Sequence, residues 1–415
     1  MLKKLRIKNF LSCEDVTIDF SDDITALVGR NAAGKTNILK AINKVAGFFS
    51  GKDDLIRELV NNEKESSFEL LMEIEERQYF YKLGTKKKTE KELEVTNSPS
   101  LFKITEQLYT ISGSSKSIVF NREGKDLSVK REFTDQNTPA YSAASPLVKA
   151  SYQPEVQLKF VLSAHYSVSH FIHSMFAMSP IVEMVKAIYD LLDKTHYYEL
   201  IEPEGIDSIA IYRSSYNEWL EEYNKERPSD TFNVMRLLHL YKENHDTFGE
   251  IVNLLGDMTL GLIVNIDISE QVIKTKKEDV LYVFQFTMPN GEKVSYEDLS
   301  FGTQRIISIL LALLHDNGPV LLLEQPEDGI HVGLLRRFLP LCQRYAEEYN
   351  KQLIITTHSY EVVDMLQPEN IRLVSMGEEG TKAESLPEED IRHIKTFMED
   401  EGTLSEYLEI LGNED

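Results

Sequence analysis

The apolar positions of this chain follow two periods, and the places where one gives way to the other mark its elements. Lys4–Asn9 and Val16–Phe20 alternate apolar with polar, as half-buried strands do, and Ser21-Asp22-Asp23 turns the chain behind them. Ile24–Val28 is apolar throughout, which suits a strand covered on both faces. Gly29–Thr36 then breaks the pattern, and from Thr36 to about Phe48 the spacing becomes helical. Phe68–Lys82 and Ser117–Phe120 return to strand patterning, with turn-rich stretches at Asn97–Ser100 and Gly113–Lys116. These strands predict a mainly antiparallel arm. Polar, turn-prone Asp135–Ala144 is a candidate boundary.

From about Leu147 to Leu260 the spacing is helical, over Phe171–Leu192, Ser215–Tyr223 and Val234–Leu255, and predicts a helical insertion. Val264–Ile268 and Val280–Met288 are strands, the second followed by the turn residues Pro289-Asn290-Gly291. Helices are predicted over Gln304–His315 and Gly333–Tyr349, with short buried strands at Val320–Leu323 and Leu353–Thr356. A further helix runs from His358 to Leu366, and Ile371–Ser375 is the last strand. Buried strands alternating with helices make this an α/β fold. Four segments are expected: an N-terminal lobe at 1–145, the helical insertion at 146–261, a C-terminal lobe at 262–376 and an acidic segment at 377–415.

Composition narrows the classes. At 42% hydrophobic, 415 residues can bury a real core. No apolar run reaches membrane-spanning length and the amino terminus does not read as a secretion signal. Cys13 and Cys342 make neither a disulfide framework nor a metal spacing, so a cytoplasmic protein without a membrane partner is expected. A net charge of −23 speaks against a broad nucleic-acid face, which needs clustered Lys and Arg. Nucleic acid stays possible as a local contact that charge does not indicate. The small basic runs Lys86–Lys88 and Lys274–Lys277 read as solvated loops. The acidic stretch Gly377–Asp415 suits a solubilising surface or the docking of a basic partner.

The break after Ile24–Val28 carries chemistry. Gly29-x4-Gly34-Lys35-Thr36 is a P-loop pattern, with the strand before it and the helix after it that the motif requires. Its glycines let the backbone curl so that successive N–H groups face phosphate oxygens, and the helix aims its positive end there. Lys35 would reach the β- and γ-phosphates, and Thr36 would offer its hydroxyl to Mg2+. Such a loop needs an apolar strand ending in an acid, and Val320–Leu323 ends in Glu324. Gln325 follows, where a hydrolase would place a carboxylate to take the proton of the attacking water. An amide can hydrogen-bond that water but cannot deprotonate it. Ser300 and Gly302, in Leu299–Gln304, lie at a helix start, where anions bind.

In order, the P-loop, Leu299-Ser300-x-Gly302, the acid-ended strand and Ile354-Ile355-Thr356-Thr357-His358-Ser359 resemble the ABC-type ATPase heads. Within them the chain is similar to the overcoming-lysogenization-defect (OLD) ATPases and the ATPase subunits of anti-phage systems such as Septu, PARIS and some retrons. RecF and SMC-type heads are more distant; Leu5–Phe10 resembles their start. The resemblance covers Met1 to about Phe120 and Val264–Ser375, not the helical insertion.

The resemblance implies an ABC-type P-loop ATPase head, a mixed sheet with an antiparallel arm, using ATP and Mg2+. Gly29, Arg30, Asn31, Ala32, Ala33, Gly34, Lys35 and Thr36 take the Walker A role. Ser300 and Gly302 take the signature role, contacting the γ-phosphate held by an opposite protomer. Glu324 takes the magnesium-side carboxylate, Gln325 the catalytic-glutamate position and His358 the γ-phosphate-sensing switch. Gly329-Ile330-His331 resembles the turn that follows, with Val332 where proline is usual.

At Gln325 two readings stay open: a natural slow or non-hydrolysing switch, or a Glu→Gln replacement that traps the ATP-bound dimer. There is no room for the TOPRIM nuclease domain of OLD proteins and no zinc-hook Cys-x-x-Cys, so effector chemistry is expected from another chain. The implied function is an ATP-sandwich dimer that senses or scaffolds, and controls a separate nuclease or toxin in anti-phage defence. The alternative is a RecF-like repair or loading ATPase acting on DNA ends or gaps.

Overall fold

The alternating residues at the amino terminus open a long antiparallel sheet. In a computed structural model of the protein, β1 (Leu2–Phe10) pairs with β2 (Cys13–Asp19) on one side and β4 (Ser67–Ile74) on the other. The sheet continues through β5 (Arg77–Lys87), β6 (Phe102–Ser112), β7 (Ser115–Glu123) and β8 (Asp126–Lys130). It ends with β10 (Gln157–Val161) and β9 (Ala150–Gln153), every neighbour antiparallel. The structure describes residues 1–52, 55, 59, 64–96, 101–130, 150–153, 157–161, 167–169, 180–198, 210–226, 233–273, 279–400 and 402–412. The predicted boundary at 135–144, the turn at 97–100, the basic run at 274–277 and part of the helix expected at 171–192 lie outside them.

Two compact units share the chain. One takes Met1–Thr195 and Pro368–Arg392; the other takes His196–Gln367 and His393–Asp415. These bounds differ from the breaks expected near 145, 261 and 376. In the first unit β3 (Ile24–Val28) runs parallel to β18 (Ile371–Gly377), Ala26 opposite Ile371. β18 turns back antiparallel as β19 (Gly380–Ser385), a strand the sequence reading did not anticipate. A mixed strand set with an antiparallel arm is therefore present. Helix α1 (Lys35–Ser50) follows β3 and buries Ile38, Leu39, Ile42, Val45 and Phe49, with Phe49 edge-on to Tyr81 at 4.9 Å. Beside that ring pair, Glu106 and Arg122 form a fully buried ion pair at 3.3 Å. The Tyr81 hydroxyl donates to Glu106 at 3.0 Å, so the buried carboxylate is well supplied with donors.

The stretch expected to be a helical insertion is not purely helical. It contains helix α3 (Pro180–Asp193), α2 being Glu90–Thr96 in the arm, but also β9 and β10. Gln157-Leu158-Lys159-Phe160-Val161 has strand alternation that the longer helical spacing around it obscured. Strands β11 (Thr195–Tyr198) and β12 (Ala210–Tyr212) also fall there.

In the second unit α4 (Arg213–Glu226) is followed by α5 (Asn233–Glu243) and α6 (His245–Leu255). Those last two were expected as one helix. Asn244 breaks them, its side chain accepting from the Thr247 N–H at 3.2 Å as an N-cap. β13 (Asn265–Ile273) and β14 (Asp279–Thr287) pair antiparallel, and β12 and β15 (Lys293–Val294) both pair with β14. Helix α7 (Phe301–Leu314) is buried on nearly every side, and precedes β16 (Val320–Glu324). β16 runs parallel to β17 (Gln352–Thr357), across helix α8 (Val332–Glu348) in sequence, with β11 on its other edge. The helix after His358 is a single turn, α9 (Tyr360–Val363), stopped ahead of Pro368. The acidic segment is ordered into β19, α10 (Glu388–Glu399) and α11 (Leu404–Gly412). Among the described residues no helix is long and apolar enough to cross a membrane.

Candidate nucleotide-binding site

The P-loop residues all lie in the first unit, where β3 ends and α1 begins. Ala32 (φ 63°) and Gly34 (φ 101°) both take left-handed backbone, which curls the loop. The N-terminus of α1 has no side-chain cap, as suits a helix end reserved for an anion. The Lys35 ammonium, nearly buried, donates to the Gly29 carbonyl at 2.6 Å and the Arg30 carbonyl at 2.9 Å. Its charge therefore sits inside the curl of its own loop, where a phosphate would compete for it. Arg30, Asn31 and Ala32 are exposed at the rim and Ala33 is buried. Gly29 is required by packing: a Cβ there would meet the Val374 carbonyl oxygen of β18 at 2.0 Å.

The remaining predicted residues lie in the second unit. Glu324 ends β16 as expected, and its carboxylate accepts a hydrogen bond from the Tyr197 hydroxyl of β11. Gln325 adopts a left-handed backbone, φ 45°, rare for a residue with a side chain and worth roughly 1–3 kcal/mol of strain. Three links tie this turn to the end of β17 and the residues that follow it. The Gln325 N–H donates to the Thr356 carbonyl and hydroxyl, both at 3.1 Å. The Gln325 amide nitrogen lies 2.9 Å from His358 Nδ1. The Thr357 hydroxyl donates to Glu327 Oε1 at 2.5 Å and itself accepts from the Ser359 N–H at 3.0 Å. The acidic turn and the histidine segment are thus one hydrogen-bonded body, and Gln325 and His358 are partners within it.

Ser300 caps α7, its hydroxyl accepting from the Thr303 N–H at 3.3 Å. Gly302 sits where a Cβ would meet the Gly329 carbonyl at 2.3 Å, so the start of α7 packs directly on the turn after Gln325. One turn into α7, Arg305 donates to the Glu324 carbonyl at 2.8 Å and the Gln325 carbonyl at 2.5 Å. Burial lowers the Arg305 pKa, opposed by Asp328, Glu327 and Glu324. His331 caps α8 by accepting from the Gly333 N–H at 3.1 Å.

Arg305, Glu327, Tyr197 and Thr356 are site neighbours that the sequence reading does not single out. Arg305 directly follows Leu299–Gln304, and that adjacency is its one signal in the sequence. Glu327 follows a proline in what reads as an exposed turn, and nothing local signals its burial. Among the described residues no group of three or more His, Cys, Asp or Glu could hold a metal. Mg2+ usually keeps several waters and takes only one or two protein oxygens, so its binding does not require such a group.

Residues 1–363 match the family model described as an AAA ATPase domain. A DNA replication and repair protein RecF of Ligilactobacillus salivarius is 39% identical over 66 residues, 16% of this chain and 17% of that protein. An ATP/GTP phosphatase of Helicobacter pylori is 21% identical over 378 residues, covering 88% of this chain and 87% of that one. An SMC head domain from Thermotoga maritima is 14% identical, covers 93% of this chain and 99% of that chain, and superposes with a TM-score of 0.43.

Proposed function

This chain belongs to the AAA ATPase domain family, and from that premise we propose that it is an ABC-type ATPase of the RecF, OLD and SMC group. The observation that carries the reading is the Gly29–Thr36 loop, curled by Ala32 and Gly34 around the Lys35 ammonium ahead of an uncapped helix. Its backbone N–H groups and Lys35 hold the phosphates; Thr36 and Glu324 supply the protein oxygens for Mg2+. Magnesium, when bound, neutralises charge that develops between the β- and γ-phosphates. Ser300 and Gly302 face a nucleotide held by a second copy of the chain. Gln325 positions His358 and a water without accepting a proton, so turnover is slow and the ATP-bound state long-lived.

The dimer then acts as a sensor or scaffold for a separate effector in anti-phage defence. The net charge of −23 supports a protein partner over a broad nucleic-acid surface. The RecF-like reading is favoured by short matches to RecF proteins, the 66-residue one among them.

Binding of Mg2+-ATP by the protein and its Lys35→Ala variant tests the core of the proposal: the variant is expected to lose binding, and equal binding by both would sink it. Phosphate release by the Gln325→Glu variant is expected to rise about a hundredfold, the lower range for supplying a general base. Equal turnover would remove Gln325 from the catalytic position. ATP-stimulated, salt-dependent binding to gapped DNA would shift the reading to repair.

A further inference from the structure

We infer that Thr381, on the β18–β19 hairpin, is a positioning residue for the phosphate-binding loop: it fixes the Ala33–Gly34 peptide so that the Gly34 N–H faces the phosphates. The inference rests on the nucleotide-binding reading above. Thr381 lies beyond the residues matched by the ATPase family model and carries no part of its motifs.

Thr381 is 2% exposed. Its Oγ1 lies 3.1 Å from the Ala33 carbonyl oxygen and 2.6 Å from Ser12 Oγ, which lies 2.7 Å from Asn37 Nδ2. The chemistry of each group sets the direction. A carbonyl only accepts, so Thr381 donates its one hydroxyl proton to Ala33. Ser12 must then donate to Thr381, and Ser12 in turn accepts from the Asn37 amide. The Thr381 N–H also donates to the Ser12 carbonyl at 2.8 Å, which fixes the hairpin to the β1–β2 turn. A one-way relay thus runs from the first turn of α1, through the β1–β2 turn and the C-terminal hairpin, back to the loop.

Its effect follows from peptide geometry. No peptide bond in the described chain is cis, so the Ala33 C=O and the Gly34 N–H point to opposite sides of one plane. Holding the carbonyl against Thr381 holds the N–H toward the opposite side, where the loop curls. Gly34 and Thr381 are also interlocked sterically. A Cβ on Gly34 would lie 2.0 Å from Thr381 Oγ1, and its φ of 101° disfavours any side chain. Without the hydroxyl, the buried Ala33 carbonyl loses this partner and the peptide gains freedom to rotate. Only the fraction of loops with the N–H correctly aimed then binds, and affinity falls by that fraction.

The test titrates the full chain with N-methylanthraniloyl-ATP and Mg2+, comparing the parent with Thr381→Val, Thr381→Ser and Ser12→Ala. Valine keeps the shape and removes the hydroxyl. Thr381→Val is expected to weaken binding about tenfold, the scale of one buried hydrogen bond. Thr381→Ser restores the donor and is expected to stay within about twofold of the parent, a rescue that a purely space-filling role does not predict. Ser12→Ala, which removes the Ser12 hydroxyl from the relay, is expected to fall between them and decides the matter if Thr381→Val does not fold. Parent-like binding by Thr381→Val, or by Ser12→Ala where that variant decides, overturns the inference while leaving the ATP reading intact. Absence of binding in the parent overturns both.

Discussion

Glu327 is the residue whose chemistry is most at odds with its surroundings. It is 7% exposed, Thr357 serves its Oε1, and among the described residues no partner is found for its Oε2. Burial pushes its pKa up, and Asp328 adds to the shift. A carboxyl group raised in the folded state favours folding while it is protonated. Its contribution is complete below the unfolded value and is lost as pH rises through the folded one. A glutamine cannot ionise, so Glu327→Gln is expected to melt close to the parent near pH 4 and above it by pH 8. Thermal melts across that range check it; a gap that does not widen with pH would count against the assignment. At this scale the sequence was legible where one short run carries the whole chemistry, as in Gly29–Thr36. It was silent where partners are remote: Ser12 and Thr381 hydrogen-bond across 369 residues, a pairing no local pattern encodes.

At the scale of elements, helix α7 shows what periodicity reports and what it misses. Its apolar run is long and buried throughout, so its existence was plain from spacing. Its fixed placement comes from its first turn, through the Ser300 cap, the Gly302–Gly329 approach and Arg305 on the carbonyls of 324 and 325. Ser300→Ala is expected to cost about 1 kcal/mol, the usual price of a lost cap. Gly302→Ala is expected to cost more, roughly 1–3 kcal/mol, because a methyl group 2.3 Å from a backbone carbonyl forces that backbone to move. Urea melts of both variants rank them, and the reverse order would place the helix differently. The α5–α6 break illustrates the opposite error. Apolar spacing runs on across it, and only the capping residue Asn244 marks the end of one helix and the start of the next.

For the whole molecule, the α/β class was legible because buried strands alternate with helices, whereas the two units were not. Each unit is assembled from separated stretches of chain, and composition carries no label for membership. ATP-dependent pairing belongs at this scale. Light scattering of the parent with Mg2+-ATP is expected to give about twice the mass seen without nucleotide, and Lys35→Ala is expected to stay at the lower mass. A parent that does not change mass would count against the second protomer in the proposed role of Ser300 and Gly302.

The parallel pairing of β3 with β18 has a consequence for synthesis. β18 leaves the ribosome more than three hundred residues after β3, a delay of roughly 15–70 s at ordinary elongation rates. Through that interval the apolar strand Ile24–Val28 lacks its β18 neighbour, and the phosphate loop lacks both the Val374 carbonyl behind Gly29 and the hydroxyl of Thr381. Nascent chains halted before residue 371 are expected to be cut readily by protease around residues 24–36, and released full-length chains to resist. The Gly29–Thr36 motif is therefore translated early and completed only after residue 381 has been made.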